Sequence, residues 1–265
     1  MFTKAETRSL SKSLKNITAT VNDPSQPKKN TNYREKWLKK MAFLESISAQ
    51  SSAALLLHDV SANRYLFMSD RKKLLGNYNP ADFTSETGVD FSFSNIHPEQ
   101  RSAALLIQLK LISYCIEHPY TCLNNIVGNM TFLYKRKSGE YFQILQKSMV
   151  VETDENGYPL LYLRYLFDIS HLLRPSVGLI ITSPDEILIW IYSTSKKCLE
   201  QVNLLSLQEK KILVLLAKGK HSKEIADMLF VSHHTIDTHR RNLLKKTNCI
   251  DTTALVSFAK MTGLI

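Results

Sequence analysis

The stretch Leu205–Asn248, which decides the fold of the C-terminal part of the chain, reads LSLQEKKILVLLAKGKHSKEIADMLFVSHHTIDTHRRNLLKKTN. Its apolar residues recur at steps of three and four, as they do on the buried side of a helix. The pattern predicts three short helices with tight connections. Only Phe230–Ser232 separate the second helix from the third.

Polar residues at the predicted helix starts support these boundaries. Ser206 and Glu209 form an S-x-x-E pair, whose two side chains satisfy the first free amides of a helix. We expect Ser222 and Ser232 to cap the second and third helices. Gly219 follows the first helix, where a residue that tolerates positive φ ends a helix at little cost.

The third helix has two chemically different faces. Ile236, Leu243 and Leu244 should dock on the other two helices. The opposite face carries hydrogen-bonding side chains, namely His234, Asp237, Thr238, Arg241 and Lys245. Two helices joined by a turn of about three or four residues, the second presenting such a face, form the helix-turn-helix that enters the DNA major groove. From charge and periodicity alone, the alternative is the solvated face of an ordinary three-helix bundle.

The order of residues across this stretch resembles the LuxR-type helix-turn-helix family. The matching segments are Leu205-Ser206-x-x-Glu209, Gly219–Ala226, Leu229–Ser232, Thr235–Arg240 and Lys246. The resemblance implies a four-helix DNA-binding domain over residues 205–265, active as a dimer in a bacterial transcription regulator. Three residues depart from the family pattern: Gln208 and Thr252 stand where arginines are usual, and Asp237 stands where a lysine is usual.

The family positions also suggest roles for individual residues. Asp237, Thr238 and Arg241 match positions that contact base edges. We expect phosphate contacts from Lys220, Lys223, Thr235, His239 and Lys245. Asp237 has an alternative role, an i,i+4 ion pair with Arg241. Asp251 is expected to cap a fourth helix, whose Leu255, Val256 and Phe258 form a candidate dimer seam.

The net charge of +10 is concentrated at the two ends of the 265-residue chain. Residues 1–50 carry 10 Lys and Arg against 4 Asp and Glu, residues 51–200 carry 14 against 15, and residues 201–265 carry 10 against 5. A near-neutral middle between basic ends fits a sensing or scaffolding core with nucleic-acid contacts at the periphery. Residues 1–31 are expected to form a flexible basic segment.

Several other classes of protein are disfavoured. No apolar run approaches the ~20 residues that span a bilayer, and no apolar segment follows Lys4 and Arg8, so we expect a cytoplasmic protein without a membrane partner. The sequence lacks the common catalytic motifs, which predicts that the protein is not an enzyme. Asp59 is isolated, so a phosphate-receiver domain is not expected. The four cysteines show no metal-ligand spacing and should be reduced, with no metal bound.

Residues 32–52 predict one amphipathic helix, which either covers the next domain or pairs with its copy in a dimer. From about residue 53 to 172 the pattern changes. Leu55–Val60 and Arg64–Met68 predict a hairpin, and a longer helix follows Pro98. Three strand-like runs complete an α+β unit, namely Asn129–Arg136, Tyr141–Glu152 and Leu160–Phe167.

This α+β unit resembles the PAS fold, a five-stranded antiparallel sheet with helices across one face. The local matches are Phe93–Glu99, Tyr134–Tyr141 and Phe167–Ser170. The resemblance implies a sensor or dimerisation module, sometimes with a small molecule between sheet and helices. We predict no cofactor here, because aromatic side chains can fill that space: Phe83, Phe91, Phe93, Phe132 and Phe142. The signal is left open between a small molecule and a protein.

Residues 173–204 connect the two domains. Val177–Thr182 and Ile187–Tyr192 predict a hairpin, and Lys196–Asn203 predict a helix. The segment is too apolar for a flexible tether, so it should add strands to the sensor or pack between the domains.

Together these features predict a PAS-like sheet domain followed by an all-α LuxR-type domain, in a homodimeric regulator that binds double-stranded DNA. Two alternatives are open. One is a protein-interaction adaptor whose helix-turn-helix does not read DNA. The other is a small-molecule or redox sensor whose chemistry lies in the PAS-like pocket.

Overall fold

The computed structural model describes residues 32–174 and 176–265. The described helices of five residues or more are α1 (Asn32–Leu38), α2 (Met41–Gln50), α3 (Pro80–Thr84), α4 (Gly88–Ser94), α5 (Arg101–Glu117), α6 (Leu207–Ala217), α7 (Ser222–Leu229), α8 (His233–Thr247) and α9 (Thr252–Thr262). The strands are β1 (Ala54–Asp59), β2 (Arg64–Met68), β3 (Val127–Lys135), β4 (Tyr141–Thr153), β5 (Pro159–Asp168), β6 (Gly178–Thr182), β7 (Ile187–Ser193) and β8 (Cys198–Gln201). The segment 1–31, for which a flexible basic chain was expected, lies outside the described residues.

The eight strands of the described part of the chain form one antiparallel sheet in the order β2-β1-β5-β4-β3-β6-β7-β8. The first five, with helices across one face, make the predicted PAS-like arrangement. The three predicted strand runs of this unit are confirmed as β3, β4 and β5, each within a few residues of its expected ends. The β3–β4 hairpin runs from Val127 opposite Met149 to Lys135 opposite Tyr141. Its turn contains Gly139 at φ +98, a backbone region that favours glycine.

Residues 173–204, which connect the two domains, continue this sheet. The predicted hairpin is confirmed as β6 and β7, and β6 pairs with β3. The helix predicted over Lys196–Asn203 is wrong, because Cys198–Gln201 form β8 on the free edge of β7. Pairing with β7 gives the backbone of this segment partners, and Leu199 packs on the helix-covered face of the sheet. These tertiary contacts outweigh a weak local preference for helix.

Helices α3, α4 and α5 pack on one face of the sheet and enclose its larger apolar core. The five aromatic side chains predicted to lie between the sheet and the helices are found there. Phe83, Phe132 and Phe142 are buried, and Phe91 and Phe93 pack against them while partly exposed.

The opposite face of the sheet is divided between two partners. Helices α1 and α2 cover β1 and β5, with Tyr33 and Leu44 buried against Leu55 and Leu161. The single helix predicted for residues 32–52 is two helices, because the chain turns between Leu38 and Met41. The C-terminal domain covers the other half of this face.

A buried ion pair fixes α1 to the sheet. Arg34 Nε donates to Asp59 Oδ2 at 2.6 Å, and the Asp59 side chain is fully buried. Asp59 also accepts from the Ser61 hydroxyl at 2.8 Å and from the Ala62 amide at 3.0 Å. Asp59 therefore has a structural role at the end of β1.

The four cysteines are all free. Cys115, Cys122 and Cys249 are buried, whereas Cys198 is exposed on β8. Burial raises the pKa of Cys115 to about 12 and those of Cys122 and Cys249 to about 11. Among residues 32–174 and 176–265, no helix is long and apolar enough to cross a membrane.

Candidate nucleic-acid interface

The C-terminal domain begins with the predicted capping box. The Glu209 amide donates to the Ser206 hydroxyl at 3.2 Å, and the Ser206 amide donates to Glu209 Oε2 at 2.8 Å. Gly219 follows α6 at φ +79, as predicted for a helix end. The Thr235 amide donates to the Ser232 hydroxyl at 3.1 Å, which confirms Ser232 as the cap of α8. The starts of α6 and α8 were therefore readable from local sequence.

The predicted cap of α7 was wrong by one residue. His221 is the N-cap residue, and its amide donates to Glu224 Oε2 at 2.8 Å. Ser222 is the first helical residue instead, and it is buried at 5 % exposure. Its hydroxyl is needed elsewhere, because it accepts a hydrogen bond from Arg240.

The helices meet around an apolar centre that includes Ile212, Ile225, Ile236 and Leu243, all fully buried. As predicted, Ile236 and Leu243 of α8 face inward. The turn between α7 and α8 is tight because Phe230 adopts a left-handed conformation at φ +54, and its side chain is 95 % exposed. This packing fixes which face of α8 is turned outward.

One ion pair links the first and third helices of this domain. Lys246 Nζ lies 2.7 Å from Glu209 Oε2, whose side chain is 4 % exposed. Burial alone would raise the pKa of Glu209, but hydrogen bonds from Lys246 and Ser206 hold that pKa below its ordinary value. Glu209 therefore serves both as the capping-box residue and as the anchor of α8.

The outward face of α8 has the polar side chains that the sequence placed there. Arg241 and Lys245 are exposed, and Thr238 is half-buried. The Thr238 hydroxyl donates to the His234 carbonyl at 3.0 Å, and Arg241 Nη2 donates to Thr238 Oγ1 at 3.2 Å. Arg241 thus lies along the helix surface, held by one exposed hydrogen bond, and its other donors have no partner within residues 32–174 and 176–265.

Asp237 has different partners from those expected. Its carboxylate lies 3.2 Å from His233 Nδ1 and 3.8 Å from Arg240 Nη1. The predicted alternative, an ion pair with Arg241, is not formed, because Arg241 turns towards Thr238. The carboxylate is 40 % exposed and stays on the outward face.

The residues predicted to contact phosphates differ in their exposure and in the partners that they already have. Lys223 and Lys245 are exposed, and His239 is half-buried. Lys220 Nζ is paired with Glu224 Oε1 at 2.8 Å, which reduces its attraction for a phosphate. The Thr235 hydroxyl is 2.8 Å from that of Ser232, within the cap of α8.

Arg240 is a structural residue that sequence reasoning missed. Its Nη1 donates to Ser222 Oγ at 2.5 Å and its Nη2 donates to Thr252 Oγ1 at 3.0 Å, so one guanidinium joins α7, α8 and α9. A signal for this role was present, because Arg240 lies four residues after Ile236 and three before Leu243 on the inward stripe.

Helix α9 carries the predicted cap but not a free dimer seam. The Ala254 amide donates to Asp251 Oδ1 at 2.7 Å, which confirms the cap. Leu255 is fully buried and Phe258 is 5 % exposed, in a cluster that includes Leu145 and Ile180 of the sheet. In this arrangement the candidate seam is therefore covered by the same chain, and only Val256 of its three residues is partly exposed.

Hydrogen bonds accompany this docking of the C-terminal domain on the sheet. Asn129 Nδ2 donates to the Thr262 carbonyl at 3.2 Å, and Lys147 Nζ donates to the Met261 carbonyl at 3.0 Å. A cleft of about 440 Å³ at this junction is lined by both domains. Because the contacts use α9 and the end of α8, the outward face around Arg241 stays uncovered.

Comparison with known families bears on the C-terminal domain. Residues 203–259 match the family described as "Bacterial regulatory proteins, luxR family". The chain is 38 % identical over 63 residues to the transcription regulator BvgA of Bordetella pertussis, covering 24 % of this chain and 30 % of BvgA. It is 43 % identical over 60 residues to the regulatory protein SdiA of Escherichia coli, covering 23 % of this chain and 25 % of SdiA. The chain thus spans less than a third of the length of these relatives.

Two solved structures align over longer parts of the chain. The VqmA dimer of Vibrio cholerae aligns with 83 % of this chain and 88 % of its own, at 17 % identity and a TM-score of 0.31. The N-terminal domain of a diguanylate cyclase with a PAS/PAC sensor, from Marinobacter aquaeolei, aligns with 44 % of this chain and 95 % of its own, at 17 % identity and a TM-score of 0.33.

Proposed function

We propose that this protein, whose C-terminal domain is a LuxR-type helix-turn-helix domain, binds double-stranded DNA in a sequence-specific way and regulates transcription. The observation that carries the proposal is the outward face of α8. It presents Thr238, Arg241 and Lys245 on a capped helix, and the sheet domain docks elsewhere. A helix with this polarity and exposure suits the major groove.

Base recognition is assigned to two side chains. Arg241, with donors to spare, can bind the O6 and N7 acceptors of a guanine. The Asp237 carboxylate is 40 % exposed and can accept from the amino group of a cytosine, and the nearby Arg240 cation offsets its repulsion from phosphates. Each such contact discriminates against a wrong base by roughly 1–3 kcal/mol.

Phosphate contacts are assigned to the exposed basic residues around this face. Lys223 and Lys245 are the main candidates, since Lys220 is already paired with Glu224. Thr235 and His239 complete the proposed set. A homodimer would present two such faces to two half-sites one helical turn apart.

The sheet domain is proposed as the sensory part. Its PAS-like strands form one face of the junction through which Asn129 and Lys147 contact α9. A change in the sheet would therefore reach the DNA-binding domain directly. Release of α9 would also expose Leu255 and Phe258 to a second copy.

DNA binding can be tested with the full chain. Sequences are selected from a random duplex pool, and the affinity for the selected duplex is measured by fluorescence anisotropy at several salt concentrations. We expect the logarithm of the association constant to fall by about 0.9 for each phosphate contact per decade of salt. A scrambled duplex of equal length is the control. Absence of binding to any duplex at low salt would contradict the proposal and favour the adaptor alternative.

A further inference from the structure

Arg164 is a buried cation in the interior of the PAS-like domain. It lies near the middle of β5, where Leu56 of β1 and Ser148 of β4 are its register partners. Leu56 belongs to the core between the sheet and helices α3–α5, so the Arg164 side chain shares that face. The residue is only 4 % exposed.

No carboxylate of the described residues compensates this charge. Within residues 32–174 and 176–265, the Arg164 side chain has neither an ion pair nor a hydrogen bond, and its Nε is fully buried without a partner. The other arginines of the sheet domain that reach inward behave differently. Arg34 pairs with Asp59 and Arg136 pairs with Asp168, each at 2.6 Å.

The titratable neighbours of Arg164 include two groups that are neutral near pH 7. They are Tyr162 and His58. Burial raises the pKa of Tyr162 well above its ordinary value. Burial and the nearby Arg164 charge lower the pKa of His58, although Asn63 opposes that shift. Since an arginine stays protonated in proteins, this part of the core carries one net positive charge.

A lone charge in such a place is energetically unusual. Removing one partner from a buried ion pair is strongly destabilising, because the remaining charge is left without compensation. Arg164 is likewise a buried cation without a negatively charged partner among the described residues. Structural arginines are normally paired, whereas a ligand-binding arginine obtains its partner from the ligand.

We propose that Arg164 binds the carboxylate of a small monoanionic organic ligand inside the PAS-like domain. This proposal rests on the sensory role proposed above and names the class of molecule that is sensed. The planar guanidinium fork matches a carboxylate through two parallel hydrogen bonds. Ser148, beside Arg164 on β4, and Gln146, which bonds to Ser148 at 3.3 Å, are buried polar residues on the same face.

The charge and the surroundings together select this class. One negative charge neutralises the site, whereas a phosphate dianion would leave an uncompensated negative charge in the core. The other buried residues on this face of the sheet are mostly apolar and aromatic, and they include Leu56, Phe83 and Met130. An organic acid with an apolar body therefore fits better than an inorganic anion.

The test uses the full chain and matched pairs of probes. Acetate is compared with acetamide and benzoate with benzamide, at constant ionic strength, by thermal melting and by isothermal titration calorimetry. Sulfate and inorganic phosphate are further probes. The variants are Arg164→Met, which keeps an apolar stem without the charge, and Arg136→Met, which removes an arginine that already has Asp168 as its partner.

We expect at least one carboxylate, but not its amide, to raise the Tm of the wild type by several degrees. Arg164→Met should lose this response and melt no lower than the wild type without a probe, whereas Arg136→Met should melt lower and keep the response. An equal response in Arg164→Met would overturn the proposal, as would a stronger response to sulfate or phosphate, or no carboxylate-specific response in the wild type. Because the experiment measures the binding of small organic acids and not the affinity for DNA, a negative result here is distinct from a failure of the proposed DNA-binding function.

Discussion

Arg240 and Arg241 are adjacent in sequence, yet the structure gives them opposite roles. Arg240 donates to Ser222 at 2.5 Å and to Thr252 at 3.0 Å, and its side chain is 34 % exposed. Hydrogen bonds from charged donors contribute roughly 1.5–3 kcal/mol each when well buried. At this exposure we take the lower end of that range, so Arg240→Met should lower the free energy of unfolding by about 2–3 kcal/mol.

Replacement of Arg241 should have little effect on stability and a large effect on DNA affinity. Its one hydrogen bond, to Thr238 at 3.2 Å, is exposed. Arg241→Met should therefore change the free energy of unfolding by less than about 0.5 kcal/mol. If Arg241 reads a guanine, the same variant should lose about 1–3 kcal/mol of binding to the selected duplex, which is roughly 5- to 150-fold in Kd.

The two variants serve as each other's control. Urea unfolding of the full chain, followed by circular dichroism, measures stability, and anisotropy with the selected duplex measures affinity at a temperature where both variants are folded. Arg241→Met should also relax the preference at the base pair that Arg241 contacts, whereas Arg240→Met should keep the preference at that base pair. Equal losses of stability in the two variants, or an undiminished affinity in Arg241→Met, would refute the assignment.

Three further predictions follow from other contacts. Asp237→Lys should alter the preferred base at one position and strengthen nonspecific binding at low salt; if the affinity and the sequence preference are both unchanged, Asp237 does not read DNA. Glu209→Gln removes the partner of Lys246 and should lower the free energy of unfolding by about 1–2 kcal/mol at pH 7. The folded-state pKa of Glu209 is held below its ordinary value of 4.5. The stabilisation by the Glu209 carboxylate is therefore present above about pH 4.5 and is lost as pH falls through the folded-state pKa. In urea unfolding between pH 3 and 7, the free energy of unfolding of the variant should approach that of the wild type at the acid end. In the native protein at pH 8, iodoacetamide should modify Cys198 alone, because the other three thiols are buried and their pKa values are raised. Detection of a second modified cysteine by mass spectrometry after brief labelling would contradict this prediction.

Much of the DNA-binding domain could be predicted from the sequence because its determinants are local. The Ser206–Glu209 box, the Ser232 cap and the Asp251 cap each involve residues only three apart, and Gly219 ends a helix by its own backbone preference. The two faces of α8 follow from helical periodicity alone. The strands of the PAS-like unit were also readable, since their turns and apolar runs are continuous in sequence.

Other features depended on partners that are distant in the chain. The segment around Cys198 became a strand because β7 offered it a free edge, which no local pattern reveals. Leu255 and Phe258 have the same apolar spacing whether they meet a second copy or the sheet, and only the folded chain shows that the sheet covers them.

Arg164 makes the same point inside the sensor domain. In sequence it is one charged residue in an otherwise apolar strand, and a partner could have come from any of the chain's carboxylates. Local sequence thus determined helix starts, turns and the polar face of α8, because capping and periodicity act over a few residues. Only the tertiary structure decided which surfaces are covered and which charges lack partners, because burial and electrostatic compensation depend on residues that are brought together by the complete fold.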